Sequence, residues 1–227
     1  MKKIEMKNFG KLLGCALALS VSAGAMAQEA GTMMVKAGYA YFDPIVGSGD
    51  LSAPSLPGSK VDVGTADTII VTGTYMITDH YSAELYLGVP LKHTMYAAGA
   101  IQGAGEIGTV KQLPPTLFGQ YRFFDASAGF RPYVGFGVTY VHFEDEEGSA
   151  VLTAITNPGG PPTTFNVKDA WGVTPQIGFT SAINKKWYLD VSINKSIVKT
   201  TTTLSTGQRV DTTLNPVVSQ ISLGYRF

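Results

Sequence analysis

The residues best suited to chemistry are three histidines, a short acidic run and a single cysteine. His142 stands near Glu144 and Asp145, a pairing that could supply a general base for attack on a lipid ester. His80 and His93 fall on other connecting segments, and the spacing assembles no nucleophile, histidine and carboxylate into a triad. Glu144, Asp145, Glu146 and Glu147 could draw divalent cations toward lipid phosphates. They lack the alternating ligand positions of a calcium loop, however, and read as a solvated acidic segment. Catalysis is therefore not expected, and neither is a metal or a cofactor.

Cys15 sits in a segment of a different kind. Lys2, Lys3, Lys7 and Lys11 precede an apolar stretch, Leu12 to Val21, and Ala25-Met26-Ala27 offers a small-residue cleavage site. Residues 1–27 are expected to be a cleaved secretory signal and residues 28–227 one membrane domain. The mature chain would then have no cysteine for a disulfide or a thiol nucleophile. Removing those four lysines and Glu5 leaves 13 basic and 16 acidic side chains, a balance that argues against nucleic acid as a partner. No later segment holds an apolar run of about 18 residues, so a membrane crossing would need strands closed into a barrel, where every backbone group finds a partner.

Period-2 segments supply those strands. They are expected near Met33 to Phe42, Thr68 to Ile77, Ser82 to Leu91, Thr116 to Phe124, Arg131 to Val141, Ala170 to Ser181, Trp187 to Ile197 and Thr212 to Phe227. The fold class is thus all-β: an eight-stranded antiparallel transmembrane barrel with short periplasmic turns and long extracellular loops. In the fifth strand Val134, Phe136, Val138 and Tyr140 share one face, and Tyr133, Gly135, Gly137 and Thr139 the other. Large apolar side chains would meet lipid, while glycines suit a narrow interior. The last strand puts Ile221, Leu223, Tyr225 and Phe227 on the lipid face, and the terminal Tyr225 and Phe227 resemble the signal read by the barrel assembly machinery.

The same parity brings inward Lys36, Glu84, Arg122, Asp190 and Arg226 near the periplasmic strand ends, where buried charges must pair; a salt-bridged plug is expected there. Above it, inward Tyr86, Phe118 and Tyr133 could form an apolar or amphipathic surface for a small solute. Pro114, Pro115, Pro175 and Pro216 each lack a ladder donor and mark candidate weak points for a lateral opening. Lys195 and Lys199 fall on the lipid-facing register near the outer end of the seventh strand, within reach of lipid phosphate or free to snorkel. Asn157 to Pro162 and Ala97 to Gly105 read as mobile loop.

Leu113-Pro114-Pro115-Thr116-Leu117, Asp125-Ala126-Ser127, Arg131-Pro132-Tyr133-Val134-Gly135, Trp171-Gly172 and the terminal Gly224-Tyr225-Arg226-Phe227, in that order and spacing, resemble the outer membrane protein W family. Leu214-Asn215-Pro216 is similar to a family Leu-Asp-Pro, with asparagine in place of the acid. The resemblance implies an outer-membrane location and a narrow, largely hydrophobic channel that passes small apolar compounds, as in alkane-uptake relatives. The expected partners are outer-membrane lipid, lipopolysaccharide, small hydrophobic solutes and the assembly machinery. The alternative is a closed structural or surface-interaction barrel whose loops meet lipid, host, phage or bacteriocin.

Overall fold

Alternating side chains build the wall of the molecule, and a computed structural model describes residues 28–227. The wall strands are β1 (Met33–Asp43), β4 (Ala66–Met76), β5 (Tyr81–Gly88), β8 (Thr116–Arg122), β9 (Phe130–Gly148), β11 (Ala170–Ala182), β12 (Trp187–Lys195) and β15 (Val217–Arg226). Each is antiparallel to the next, and β15 returns to β1 in register from Met34↔Arg226 to Asp43↔Val217, which closes an eight-stranded barrel. The signal segment lies outside the described residues.

Burial follows the expected parity. Val35, Leu85, Leu117, Phe136, Val138, Ile177, Ile221 and Leu223 are exposed on the outer wall, while Lys36, Glu84, Phe118, Tyr133, Asp190 and Arg226 are buried inside. An exposed apolar belt of this height needs lipid around it. At the short-turn rim it ends in packed rings: Tyr121 lies 5.2 Å from Tyr81 and 5.1 Å from Phe123, and Tyr225 lies 5.1 Å from Trp187 and 5.0 Å from Phe227. At the other rim Tyr140 packs on Trp171 at 4.9 Å.

Glycine makes room inside the wall. A Cβ on Gly137 would meet Phe118 Cδ1 at 2.6 Å and Thr116 Cγ2 at 2.8 Å, and one on Gly178 would meet the Tyr133 ring at 2.6 Å. Two large rings thus occupy space that any other residue at those positions would fill.

The long connections differ from the expected mobile loops. They fold into β2 (Val46–Ser48), β3 (Ser59–Val63), β6 (Leu91–Gly99), β7 (Glu106–Leu113), β10 (Phe165–Val167), β13 (Ile197–Leu204) and β14 (Arg209–Leu214), with a short helix α1 (Ala150–Thr156) whose Ser149 cap accepts from Leu152 N. β3, β6 and β7 pair in series onto an elongated β9, and β2, β14 and β13 pair toward β11. Met95, Ile107, Val110, Phe143, Phe165 and Val198 join one apolar core within this extension. That core overturns the mobile reading of Ala97 to Gly105, since Ala97 is buried in it and Ala97 to Gly99 close β6.

The prolines also need correction. Pro114 and Pro115 lie in the connection from β7 to β8, and Pro216 lies between β14 and β15, so the expected strand Thr212 to Phe227 is two strands. Of these four, only Pro175 stands inside a wall strand, opposite Phe136 of β9. On its other side β11 pairs β13 at Val173↔Ile197 and β12 from Gln176↔Asn194, leaving Thr174 and Pro175 without ladder partners.

Candidate functional site

Strand register stacks the inward side chains into layers, and their chemistry changes with height. The floor at the short-turn rim is polar. Arg131 donates to the carbonyl oxygens of Asp79 (2.6 Å), Phe124 (3.1 Å), Phe123 (3.2 Å) and Gln28 (3.3 Å), so one guanidinium ties two turns to the start of the described chain. Arg122 donates to Gln120 Oε1 (2.8 Å), Ser82 Oγ (3.2 Å) and Gln28 Oε1 (3.3 Å), and lies 4.8 Å from the Tyr133 ring centroid.

Above the floor Lys36 Nζ lies 2.8 Å from Asp190 and 3.0 Å from Glu84, with all three side chains at most 1 % exposed. Thr74 donates to Glu84, and Tyr133 donates to both Asp190 oxygens at 3.1 and 3.2 Å. The expected cluster is therefore assembled, but its pairing is narrower than anticipated. Lys36 alone forms the ion pairs; Arg122 is held by amides and a hydroxyl. Arg226, opposite Met34 at the rim, lies 5.3 Å from the Tyr188 ring centroid, and its Nε and Nη1 have no partner among the described residues.

Tyr133 also needs reassignment. It belongs to the ionic layer rather than the surface beside Phe118, because its ring lies over Gly178 of β11 and its hydroxyl reaches Asp190 on β12. Ser192, Ser222, Thr72 and both polar side-chain atoms of Gln220 face the middle layer without a partner among the described residues, as does Glu84 Oε1. Buried polar groups in this state call for water, so the middle lumen is a hydrophilic layer. Gln120 donates to Gln176 at its upper edge.

The next layer is apolar on one side. Tyr86 and Phe118 pack edge to face at 6.4 Å and join Ala40, Phe42, Ile70, Leu91 and Val218. Opposite runs a chain of hydroxyls, Thr116 to Thr139 (2.8 Å), Thr139 to Thr174 (2.6 Å) and Thr174 to Ser196 (2.9 Å). Its last link stitches the lumen side of the ladder break at Pro175. A cleft of about 20 Å³ between Phe42, Tyr86, Pro114, Phe118, Asn194 and Val218 leads upward. Above it a second cleft of about 40 Å³ is walled mainly by Pro44, Val61, Met95, Val110, Phe143 and Leu214, with Pro216 at its edge.

His93 lines that vestibule with four other polar residues, Gln112, Thr200, Thr202 and Thr212. Its Nδ1 lies 2.8 Å from Gly64 O and its Nε2 2.9 Å from Gln112 Nε2, which fixes a neutral ring donating to the carbonyl and accepting from the amide. Burial lowers its pKa, against the opposing hydrogen bond to Gly64. His80 is far off at the short-turn rim, stacked 5.7 Å from Tyr121. His142 sits outside the wall with its Nδ1 2.8 Å from Asp169 Oδ2, and the same oxygen accepts from Tyr140 at 2.7 Å.

Sequence reasoning missed Arg131, Gln28, His93 and Phe42. Phe42 and His93 lie on inward parity and were within reach of the same period-2 argument; Arg131 bonds turn carbonyls and Gln28 bonds the side chains of Thr180, Arg122 and Arg131, pairings that no spacing encodes.

Comparison with known proteins identifies the family and supports the fold. The chain is 35% identical over 224 residues to outer membrane protein W of Escherichia coli K12, covering 96% of this chain and 99% of the relative. The crystal structure of OprG from Pseudomonas aeruginosa superposes with a TM-score of 0.80 at 27% identity, covering 88% of this chain and 98% of that one. A more distant relative, 23% identical over 78% of this chain and 79% of its own length, is the dibenzothiophene metabolism operon protein PahQ of Pseudomonas aeruginosa. The family pattern described as OmpW family spans residues 29–227, the whole barrel with its extension; with relatives this similar from end to end, the chain belongs to the OmpW family of outer-membrane β-barrels.

Proposed function

We propose that the barrel takes small hydrophobic compounds from outside the cell into its upper lumen and releases them sideways into the outer membrane. The observation that carries this reading is the order of layers: an apolar vestibule, then Phe42, Tyr86, Phe118 and Val218, then a hydrophilic layer and the Lys36 ion pairs. An apolar solute gains about 25 cal/mol per Å² of surface removed from water in the upper layers and gains nothing below them. The side exit is assigned to the wall at Pro175, where the ladder is broken, with Pro216 on the neighbouring connection, its carbonyl accepting from Ser196 N at 3.1 Å; Pro114 and Pro115, at the top of β8, border the approach. One relative is named for an operon of dibenzothiophene metabolism, and that compound is an apolar polycycle. The role needs transport rather than catalysis, with the terminal Tyr225 and Phe227 serving assembly by the barrel machinery.

The test is the initial uptake rate of a radiolabelled medium-chain alkane or polycyclic probe, in cells matched for expression of an unrelated small barrel. Faster uptake only with this chain supports the proposal, and equal rates across a panel of probes sink it. A closed surface-interaction barrel is the second reading, favoured by the small free volume of the vestibule, about 40 Å³, and by the packed core around it.

A further inference from the structure

The lysines of the outer half divide into two groups. Lys60, Lys92 and Lys111 are paired with Asp50 (3.8 Å), Glu147 (3.4 Å) and Asp145 (2.7 Å). Lys168, Lys195 and Lys199 are exposed and form no ion pair among the described residues. All three of this second group lie along one seam of the outer wall. Lys195 ends β12 across from Val217, Ile197 pairs Val173, and Lys199 follows two residues on across from Thr213. Lys168 enters from above, its backbone N bonded to Thr201 O at 3.0 Å.

Trp171 fixes the height of this seam. It is 70% exposed, packed on Tyr140, and directly above the exposed apolar Val173, Ile177 and Ile197. The lysines therefore span the boundary between lipid tails and headgroups. An open groove of about 610 Å³ runs beside Trp171, with Lys168 and Lys199 on its walls. Two carboxylates also line it: Asp169 accepts from His142, Tyr140 and Phe143 N, and Asp211 accepts from Thr201 of the same groove. Lys168, Lys199 and, just below the groove, Lys195 set three lysines against these two aspartates, a net cationic seam above an apolar wall that complements an anionic headgroup carrying acyl chains.

We propose that this groove, with Lys195 at its lower end, binds the phosphate groups of the outer-leaflet glycolipid, lipid A, with the sugar against Trp171 and an acyl chain along Val173 and Ile197. The site faces the membrane on the seam that also holds the ladder break at Pro175, and its test reads retained lipid rather than solute uptake.

The test uses the full folded chain in nanodiscs of neutral phospholipid doped with bisphosphorylated lipid A or its dephosphorylated form, and native mass spectrometry of the lipid retained. The expected result is retention of the phosphorylated lipid, reduced about tenfold in Lys168→Gln/Lys195→Gln/Lys199→Gln and unchanged in Lys60→Gln/Lys92→Gln/Lys111→Gln. Equal retention of both lipid forms overturns the proposal, as does equal loss in the two triple variants. Displacement by an equal concentration of inorganic phosphate would mark a free-anion site and overturn it too. Heat-dependent gel mobility confirms folding; if the first triple variant fails to fold, the single variants are measured, and unchanged retention in all three overturns the proposal.

Discussion

Replacing Lys36 by methionine removes the cation from two carboxylates that are both fully buried, at 2.8 and 3.0 Å. Taking one partner from a buried pair costs about 3–5 kcal/mol, because the remaining charge stays desolvated without its counter-ion. Lys36→Met leaves two such charges, with Arg122 the nearest remaining guanidinium, so the upper half of that range is expected. Urea unfolding in phospholipid vesicles, followed by tryptophan fluorescence, measures the loss. Trp171 and Trp187 report from opposite rims. A triple variant that also carries Glu84→Gln and Asp190→Asn removes every charge of the group and should recover most of the stability, since an uncharged replacement of a buried pair is often neutral. If Lys36→Met unfolds within about 1 kcal/mol of the parent, the ionic layer is solvated rather than buried and the reasoning fails.

Gly137→Val drives a side chain into Phe118 and Thr116 and should cost about 1–3 kcal/mol by overpacking, with uptake of apolar probes slowed because the Phe118 ring must move; unchanged stability and uptake would remove Phe118 from the route. Pro175→Val restores a backbone donor at the ladder break and should stabilise the barrel by about 1 kcal/mol while slowing apolar uptake. Faster uptake in that variant would place the exit elsewhere. His142 should titrate above its ordinary 6.5 in an NMR pH series, chiefly because Asp169 accepts its hydrogen bond, and return toward 6.5 in Asp169→Asn. The sign follows from that shift: the pair's contribution to stability is complete below pH 6.5 and fades as pH rises through the raised value. On the acid side, Asp169, held at about 2 by His142, Phe143 N and Tyr140, contributes above about pH 3.8 and loses that contribution as pH falls toward 2.

The barrel wall was legible because lipid and lumen impose opposite demands on neighbouring residues, so Val134, Phe136 and Val138 announce their face against Tyr133, Gly135 and Gly137. The extension above it obeys the same rule in part: Leu91, His93, Met95 and Ala97 alternate inward with Lys92 and Tyr96 outward. That run was hidden by its length, which looked like loop between two membrane strands. Thr200 to Thr203 carry no apolar period at all, and their strand is set by pairing with β14. In the lumen, parity told which side chains point inward but not how far each one reaches. Tyr133 was therefore placed with Phe118, although its hydroxyl extends to Asp190, and Arg122 was expected in an ion pair, although Gln28, Ser82 and Gln120 hold it.

The layered lumen also bears on where a solute should leave. Returning an eight-carbon chain from an apolar site to water costs roughly 6 kcal/mol at about 0.8 kcal/mol per methylene, a factor of about ten thousand against release into the periplasm. Release into lipid carries no such cost, because hydrocarbon meets hydrocarbon. The barriers rank the same way. Downward passage must separate Lys36 from Glu84 and Asp190, on the scale of about 3–5 kcal/mol for a broken buried pair. Sideways passage at Pro175 must part a wall already lacking ladder partners and closed on the lumen side by the Thr174 to Ser196 hydroxyl contact, worth about 0.5–1.5 kcal/mol net. Thr174→Val with Ser196→Ala should therefore speed apolar uptake while leaving ion conductance unchanged; a rise in conductance with no change in uptake would show that the two routes had been assigned the wrong way round.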